Sequence, residues 1–331
     1  MKFLFCGLGS IGERHLSNLL SLGETEISAY RKTHVPLRTI TQKIKTYNTL
    51  SEAIKQKPQA AFITNPSALH IPLALQLAKS NCHLFIEKPL STTMENLKKL
   101  ERIVKNKKLI VQVGFMMRYH PAMKQIKKWL QEGIIGDPVC ARVCWGEYLP
   151  SWHPWENYKN SYSAKTNLGG GPIFTLCHDV DLMSWFFGKP KTVYALANKN
   201  SSLDIPTEHC AEIVFQYKRK LIVEIHLDYL QLPPKRSWEI IGSKGRIELD
   251  YYKNLLKLYI VNSDRLTFQE TSKEYSDTFE RNDMFFEEVK SFIDALNEKK
   301  EPEISLRDGI NNVELLTAIH SSIKSKSVVN I

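Results

Sequence analysis

Paired cysteines of the C-x-x-C type are missing from this chain: Cys6, Cys82, Cys140, Cys144, Cys177 and Cys210 are scattered through 331 residues. That spacing argues against a zinc module and against a secreted disulfide framework, so no metal site is expected and most of the thiols read as small buried side chains. Long apolar runs are also missing. None approaches the roughly 18 to 20 residues that a membrane-spanning helix needs, and the first residues carry no basic, apolar, cleavable stretch. The expectation is a cytoplasmic protein without a membrane partner. No internal repeat or low-complexity tract appears. Lys and Arg outnumber Asp and Glu by 45 to 35, a formal charge of +10, yet no arginine-rich arm, zinc finger or RNP-like segment concentrates the excess. Nucleic acid is therefore not the expected partner. An acidic small molecule matches the charge better, and a solvated basic surface explains it equally well.

The chain has 43% hydrophobic residues, enough for a substantial core, and its length suggests about two domains. Lys2 to Cys6 is a short apolar run with β-favouring aromatics. Gly7, Gly9 and Gly12 follow at the G-x-G-x-x-G spacing, with Ser10 and Ile11 between them. Then Ile11, Leu16, Leu19 and Leu20 line one face of a helix that Gly23 is placed to end. In such a strand, turn and helix Gly7 permits the turn, Gly9 lets a pyrophosphate approach the backbone and Gly12 lets helix and strand pack closely. A dinucleotide is the expected ligand, with its phosphates on the amides that open the helix. The next strand, Glu26 to Tyr30, ends in Arg31 and Lys32, with Arg38 shortly after. An acidic residue there would hold the ribose 2′-hydroxyl of NAD, whereas basic residues suit the 2′-phosphate of NADP, so NADP is favoured over NAD.

Strands and helices then alternate. Leu50–Gln56 reads as a helix, Ala60–Thr64 as a strand ending in Asn65-Pro66, and His70–Ala78 as a helix. Cys82–Ile86 is a strand before Glu87-Lys88-Pro89, Asn96–Lys105 a helix and Leu109–Val113 a fifth strand. This is the pattern of a doubly wound parallel sheet, an α/β fold with both faces covered. From Arg118-Tyr119-His120-Pro121 the composition changes. A strand over Val139–Tyr148 leads into a long loop rich in Trp152, Trp155, Tyr158 and Tyr162. Gly169-Gly170-Gly171 closes the loop, and one apolar helix over Ile173–Phe187 carries Thr175, His178 and Asp181. Six strands follow, at Thr192–Ala197, Glu208–Tyr217, Leu221–Tyr229, Ser237–Gly242, Arg246–Asp250 and Leu256–Val261, with a hairpin-like turn at Gly242-Ser243-Lys244-Gly245. Helices at Met284–Leu296 and Gly309–Ile323 end the chain. The expected division is a dinucleotide-binding domain over 1–120 and a substrate-binding and oligomerisation domain over 121–331, with the C-terminal helices candidates to pack back on the first.

The set Gly7-Leu8-Gly9-Ser10-Ile11-Gly12, Asn65-Pro66 with His70, Glu87-Lys88-Pro89, Gly169-Gly170-Gly171 leading to His178-Asp179-Val180-Asp181, and the Gly242–Gly245 turn resembles the Gfo/Idh/MocA family of nicotinamide-dependent sugar and polyol oxidoreductases. The resemblance implies an N-terminal Rossmann domain and a C-terminal α/β domain with an open, mostly antiparallel sheet that often mediates oligomers, here a dimer or tetramer. It implies a cis bond before Pro89, cofactor contacts from the Gly7–Gly12 turn, Asn65, Pro66, His70, Glu87 and Lys88, and hydride exchange with a hydroxyl or keto carbon of a sugar. The loop from Tyr148 through Trp155 to Ala164 is similar to a subgroup associated with bacterial surface-polysaccharide sugars. Lys88 and His178 are the expected catalytic pair, one to take the hydroxyl proton and one to hold the developing alkoxide, with Asp181 on the same helical face placed to orient the imidazole. Arg118, Tyr119, Trp155, Tyr162, Thr175 and His178 are candidate substrate contacts. The chain departs from the family pattern at Thr175, where many members carry Asp. Two alternatives stay open: elimination or glycoside cleavage by transient oxidation, a use that some relatives make of the nicotinamide, and a cofactor-binding regulator without turnover, which the replacement at Thr175 keeps in view.

Overall fold

The computed structural model describes every residue except 33–35, 219–220 and 276–278. It resolves into two compact units, one made of Met1–Met116 with Arg281–Val313 and the other of Met117–Glu280 with Glu314–Ile331.

In the first unit, β1 (Phe3–Cys6), β2 (Ile27–Tyr30), β3 (Lys45–Tyr47), β4 (Ala60–Ile63), β5 (His83–Glu87) and β6 (Val111–Gly114) form one sheet in the order β3-β2-β1-β4-β5-β6. Every neighbouring pair is parallel. β1 and β4 are buried along their whole length, which is why they read as continuous apolar runs. The chain passes β1, β2 and β3 outward and then returns to β4, so the winding reverses between β1 and β4. Open α/β sheets bind ligands at the carboxyl ends of the strands flanking such a reversal. Helices α1 (Ser10–Ser21), α2 (Leu50–Lys55), α3 (His70–Lys79) and α4 (Leu97–Lys107) connect the strands. Phe5, Phe62 and Phe85 stack side by side across β1, β4 and β5. Phe292, from a helix over Arg281–Glu298, meets the rings of Phe62 and Phe85 edge-on and shares their core with Val289. β3 escapes sequence reading because it is three residues long and has no buried position.

The second unit holds a nine-stranded sheet whose middle strand is β7 (Pro138–Gly146), flanked by β10 (Ile222–Asp228) and β11 (Lys235–Gly242). From β10 it continues outward through β9 (Cys210–Gln216), β8 (Thr192–Asn198) and β15 (Val329–Asn330), and from β11 through β12 (Gly245–Asp250), β13 (Leu255–Val261) and β14 (Phe268–Glu274). Only the β7–β10 pair is parallel. β8 to β12 alternate between buried and more exposed residues, the mark of a sheet packed on one face. The fold class is the expected one. The turn at Gly242–Gly245 joins β11 to β12.

Besides β3 and β15, other elements differ from the sequence reading. The helix expected over Ile173–Phe187 is two, α6 (Pro172–Thr175) and α7 (His178–Phe187). The break follows Thr175, whose hydroxyl turns back to the Gly171 carbonyl at 2.8 Å instead of facing out. α5 (Pro121–Gln131) was not anticipated, although Pro121 opens it, His120 caps it and Ala122, Met123, Ile126 and Trp129 give it a buried face. β14 was not anticipated either, because all its residues are exposed and its sequence does not alternate.

Candidate active site

The glycine turn lies at the carboxyl ends of β1 and β4. Gly7 has φ +99°, a left-handed conformation, and a side chain there would come within 3.0 Å of the Asn65 amide. A β-carbon on Gly12 would lie 2.8 Å from the Gly7 carbonyl and 2.9 Å from Thr64 Oγ1. Thr64 Oγ1 itself donates to the Gly7 carbonyl at 2.8 Å, tying the two strand ends together. Gly9 is different: a β-carbon there meets nothing within 4 Å. Its lack of a side chain serves no packing need inside the protein, and it leaves open space at the start of α1, where the fingerprint brings a pyrophosphate close to the backbone. Gly9 caps α1 without a side-chain bond, and the first amides of a helix have no partner within it. Asn65 Oδ1 is buried without a hydrogen-bond partner among the described residues. The residues thus fit a dinucleotide: a cradle that a β-carbon would fill, amides for the phosphates and an unused acceptor at the adjacent strand end.

Around this turn the expected residues take different parts. Glu13, in the first turn of α1 and unremarked in the sequence, accepts from the Arg38 amide at 2.8 Å and from the Thr39 amide at 3.1 Å, so the segment after β2 is held to the phosphate helix. The Arg31 amide bonds the Tyr47 carbonyl of β3, and Lys32 is exposed. His70 was expected to contact the cofactor. It is 1% exposed, with Nε2 2.8 Å from the Asn65 carbonyl and Nδ1 3.0 Å from the Pro89 carbonyl. Burial pushes its pKa down, against the raising effect of those carbonyls, and a neutral imidazole donates to one of them at a time. It clasps the Asn65-Pro66 turn to Pro89. Glu87 likewise faces inward: Oε1 takes His15 Nε2 at 2.6 Å, and Oε2 accepts the Lys88 amide at 3.1 Å. Donor atoms of His15, Glu87 and Glu288 lie within 4.8 Å of one another. Burial, and then Glu87, pushes Glu288 well above the usual carboxylate range. Lys88 follows this buried group, and its bond to Pro89 is cis, as the resemblance implied.

In the second unit, α7 opens at His178. The ring of Trp145, from the middle strand, stacks on the His178 ring at 5.8 Å between centroids. Arg236 lies over the other ring system of this layer, 3.3 Å from the Trp145 centroid, and its guanidinium is 3.7 Å from Asp179 Oδ1. Trp238 Nε1 donates to the same oxygen at 3.1 Å. Burial pushes Asp179 up to about 6 in spite of Arg236 and Trp238. Asp179, Trp145, Arg236 and Trp238 all escaped the sequence reading. Only Asp179 lay in a quoted motif, and the others are brought to it by strand register. Asp181 was expected to orient His178. Its two oxygens are gripped by Arg118, at 2.9 Å from Nε and 2.6 Å from Nη2, with both side chains almost fully buried. Arg118, expected to touch substrate, is thereby a buried partner of α7. Thr175 is buried and 2.5 Å from the Tyr229 hydroxyl, which lies 3.3 Å from the Ser163 carbonyl. Tyr119 is buried, with Lys124 above its ring. Of the aromatic loop, Trp152 packs edge-on to Tyr229, which fixes the loop to the sheet, while Trp155 is 58% exposed and Tyr162 half-buried.

Comparison with known proteins adds an independent line. Residues 1–115 match the model of an oxidoreductase family with an NAD-binding Rossmann fold, and residues 123–248 match the GFO/IDH/MocA C-terminal domain. The chain is 27% identical to inositol 2-dehydrogenase/D-chiro-inositol 3-dehydrogenase of Lacticaseibacillus casei, over 98% of this chain and 92% of that protein. It is 25% identical to myo-inositol 2-dehydrogenase of Thermotoga maritima, over 100% and 98%. Among solved structures, levoglucosan dehydrogenase in complex with NADH and levoglucosan superposes with TM-score 0.85 at 18% identity, covering 100% and 99% of the two chains, a likeness of fold. With both halves matched in order and the glycine cradle in place, the chain belongs to the GFO/IDH/MocA family of NAD-binding oxidoreductases.

Proposed function

We propose that the protein is a dehydrogenase that moves a hydride between a nicotinamide cofactor and a hydroxyl or keto carbon of a sugar or polyol. The observation that carries this reading is Gly9, whose missing side chain leaves open space at the start of α1 while Gly7 and Gly12 are required by packing. When bound, the nicotinamide supplies the hydride. Lys88 and His178 are the side chains proposed to serve the reacting hydroxyl. Lys88 has its backbone held through Glu87, and the His178 ring is supported by Trp145 on a rigid strand. Thr175, bonded to the Gly171 carbonyl and beside Tyr229, is proposed to shape the site without exchanging protons. NADP is proposed as the preferred cofactor on the strength of Arg31, Lys32 and Arg38, and a homo-oligomer on the exposed apolar residues Tyr194, Leu196, Val214 and Ile222 of the outward sheet face. The relatives named above act on inositols and levoglucosan, so cyclic polyols and anhydrosugars lead the substrate list, and surface-polysaccharide sugars have no support from them.

A panel of inositols, levoglucosan and free sugars, each with NAD and NADP and followed by the absorbance of the reduced cofactor, tests the activity. His178→Ala and Lys88→Ala are expected to bind cofactor normally and to turn over about 10²- to 10⁴-fold more slowly, with Thr175→Val far less affected. Near-normal turnover of His178→Ala would make the histidine a core residue. Calorimetric titration decides the cofactor: tighter binding of NADH than of NADPH sinks the NADP proposal, and Arg31→Asp is expected to move the preference toward NAD.

A further inference from the structure

The segment between β2 and β3 is held by a side chain that belongs to no motif. Residues 36–44 form neither helix nor strand, so their amides join no ladder. Leu37 and Ile40 pack on the core of the parallel sheet, and the two residues between them, Arg38 and Thr39, are exposed. Glu13 fixes the backbone between these two anchors. Its Oε2 accepts the Arg38 amide at 2.8 Å, the Thr39 amide at 3.1 Å and the Thr39 hydroxyl at 3.2 Å. Glu13 is 7% exposed and lies in the first turn of α1, one residue past Gly12, with its own amide on the Gly9 carbonyl at 2.9 Å.

A carboxylate is unexpected at this place. Acidic residues near a helix start are favoured by the dipole, but this helix start is the one fitted to a pyrophosphate, and like charges repel. Three donors on one oxygen offset that charge, and all three come from a segment that carries a cation. The same bonds set a position: the main chain at Arg38 is one hydrogen bond away from the helix that opens at the glycine cradle. An arginine on a loose segment loses affinity to the ordering that a ligand imposes on it, whereas one on a segment already held does not.

We propose that Glu13 is a positioning residue for cofactor choice, which by clasping the Arg38 and Thr39 amides presents Arg38 to the 2′-phosphate of NADP. The ligand in this proposal rests on the NADP reading given above. No bond or proton is exchanged, and the effect is one of preorganisation. It acts on NADP and not on NAD, which carries a hydroxyl where NADP carries the phosphate.

The test titrates NADPH and NADH by calorimetry into full-length wild type, Glu13→Ala, Glu13→Gln, Arg38→Ala and the double variant Glu13→Ala, Arg38→Ala. Glu13→Ala is expected to lower the ratio of NADPH to NADH affinity by about 10-fold, the weight of one hydrogen bond to a charged group. Glu13→Gln keeps an acceptor for both amides and is expected to retain most of the ratio. The double variant is expected to lose no more than Arg38→Ala alone, because Glu13 acts through Arg38. A glutamate that only supports the fold weakens both cofactors alike; an unchanged ratio in Glu13→Ala, or additive losses in the double variant, overturns the proposal. The NADP reading fails separately, on the unaltered chain, when NADH binds more tightly than NADPH, and the change of ratio in Glu13→Ala is read all the same. Trypsin gives a measurement that needs no variant: the Arg38–Thr39 bond of the cofactor-free native protein is expected to resist cleavage, since the amides on both sides of Arg38 are held. Rapid cleavage after Arg38 overturns the proposal even where Glu13→Ala does not fold.

Discussion

Replacing Asp181 by Asn leaves the shape of α7 nearly unchanged and removes one charge from a buried pair. Arg118 reaches Asp181 through two nearly parallel hydrogen bonds of 2.9 and 2.6 Å, and the side chains are only 6% and 2% exposed. The surviving guanidinium cannot shed its proton, so it stays charged, half-bonded and out of water. Removing one partner of a buried ion pair costs about 3–5 kcal/mol. At about 2–4 °C per kcal/mol for a unit of this size, the transition falls by roughly 6–20 °C. Arg118→Met is expected to do less damage at low pH than at pH 7, because an abandoned carboxylate neutralises itself by taking a proton. The double variant Arg118→Met, Asp181→Leu is expected to recover most of the loss, since an apolar pair of similar volume often matches a buried ion pair. Urea unfolding of the wild type, Arg118→Met, Asp181→Leu and the double variant gives the coupling, with Asp181→Asn measured beside them. A loss below about 1 kcal/mol for Asp181→Asn, or a double variant no better than the singles, refutes the view that this pair is a buried structural clamp.

Three further outcomes follow from the same geometry. Gly9→Ala is expected to unfold within about 0.5 kcal/mol of the wild type but to bind cofactor poorly, whereas Gly12→Ala is expected to lose stability as well, because its β-carbon meets the backbone at 2.8 Å; equal unfolding curves for the two would contradict this division. His120 accepts the Ala122 amide at 3.1 Å as the cap of α5, and burial, with Arg236, lowers it to about 3. Below its unfolded value near 6.5 the unfolded chain binds a proton that the folded chain refuses, so this contribution is complete above pH 6.5 and is lost as pH falls toward 3. His120→Asn, which keeps a capping acceptor, is expected to gain about 2–3 kcal/mol on the wild type between pH 7 and pH 4.5; parallel stability curves in urea would remove His120 as the cause. Thr175→Val is expected to lower stability by about 1–3 kcal/mol by depriving the fully buried Tyr229 hydroxyl of a partner, and equal urea midpoints would show that the Ser163 carbonyl alone satisfies it.

The parts of the fold that local chemistry dictates were legible in the sequence. Gly7 and Gly12 had to be glycine for reasons confined to one turn, and β1 and β4 announced themselves because both faces are buried. The division of α6 from α7 was not legible, because it follows from a hydroxyl bonding backward and from Tyr229, more than 50 residues away. Nor was the layer of Trp145, Arg236, Trp238 and Asp179, which exists only once β7 and β11 pair in register. The inward turn of Glu87 and His70 was hidden for a related reason: a motif names residues, and only packing says whether the side chain faces a ligand or the protein.

The helix over Arg281–Glu298 has a consequence for how the protein is made. It closes the core over Phe62 and Phe85, but it leaves the ribosome long after them. Between Met116, where the first stretch of that unit ends, and Arg281 the ribosome must add 165 residues (281 − 116 = 165). At about 5–20 residues per second that takes roughly 8–33 s. For that interval the nascent chain carries a parallel sheet with a bare aromatic face, a surface that chaperones bind and that sticks to its own kind at high expression. Slower synthesis or lower temperature does not shorten the exposure. A chain cut after Met116 keeps it for good, and supplying residues 281–313 as a separate peptide is the direct way to cover it.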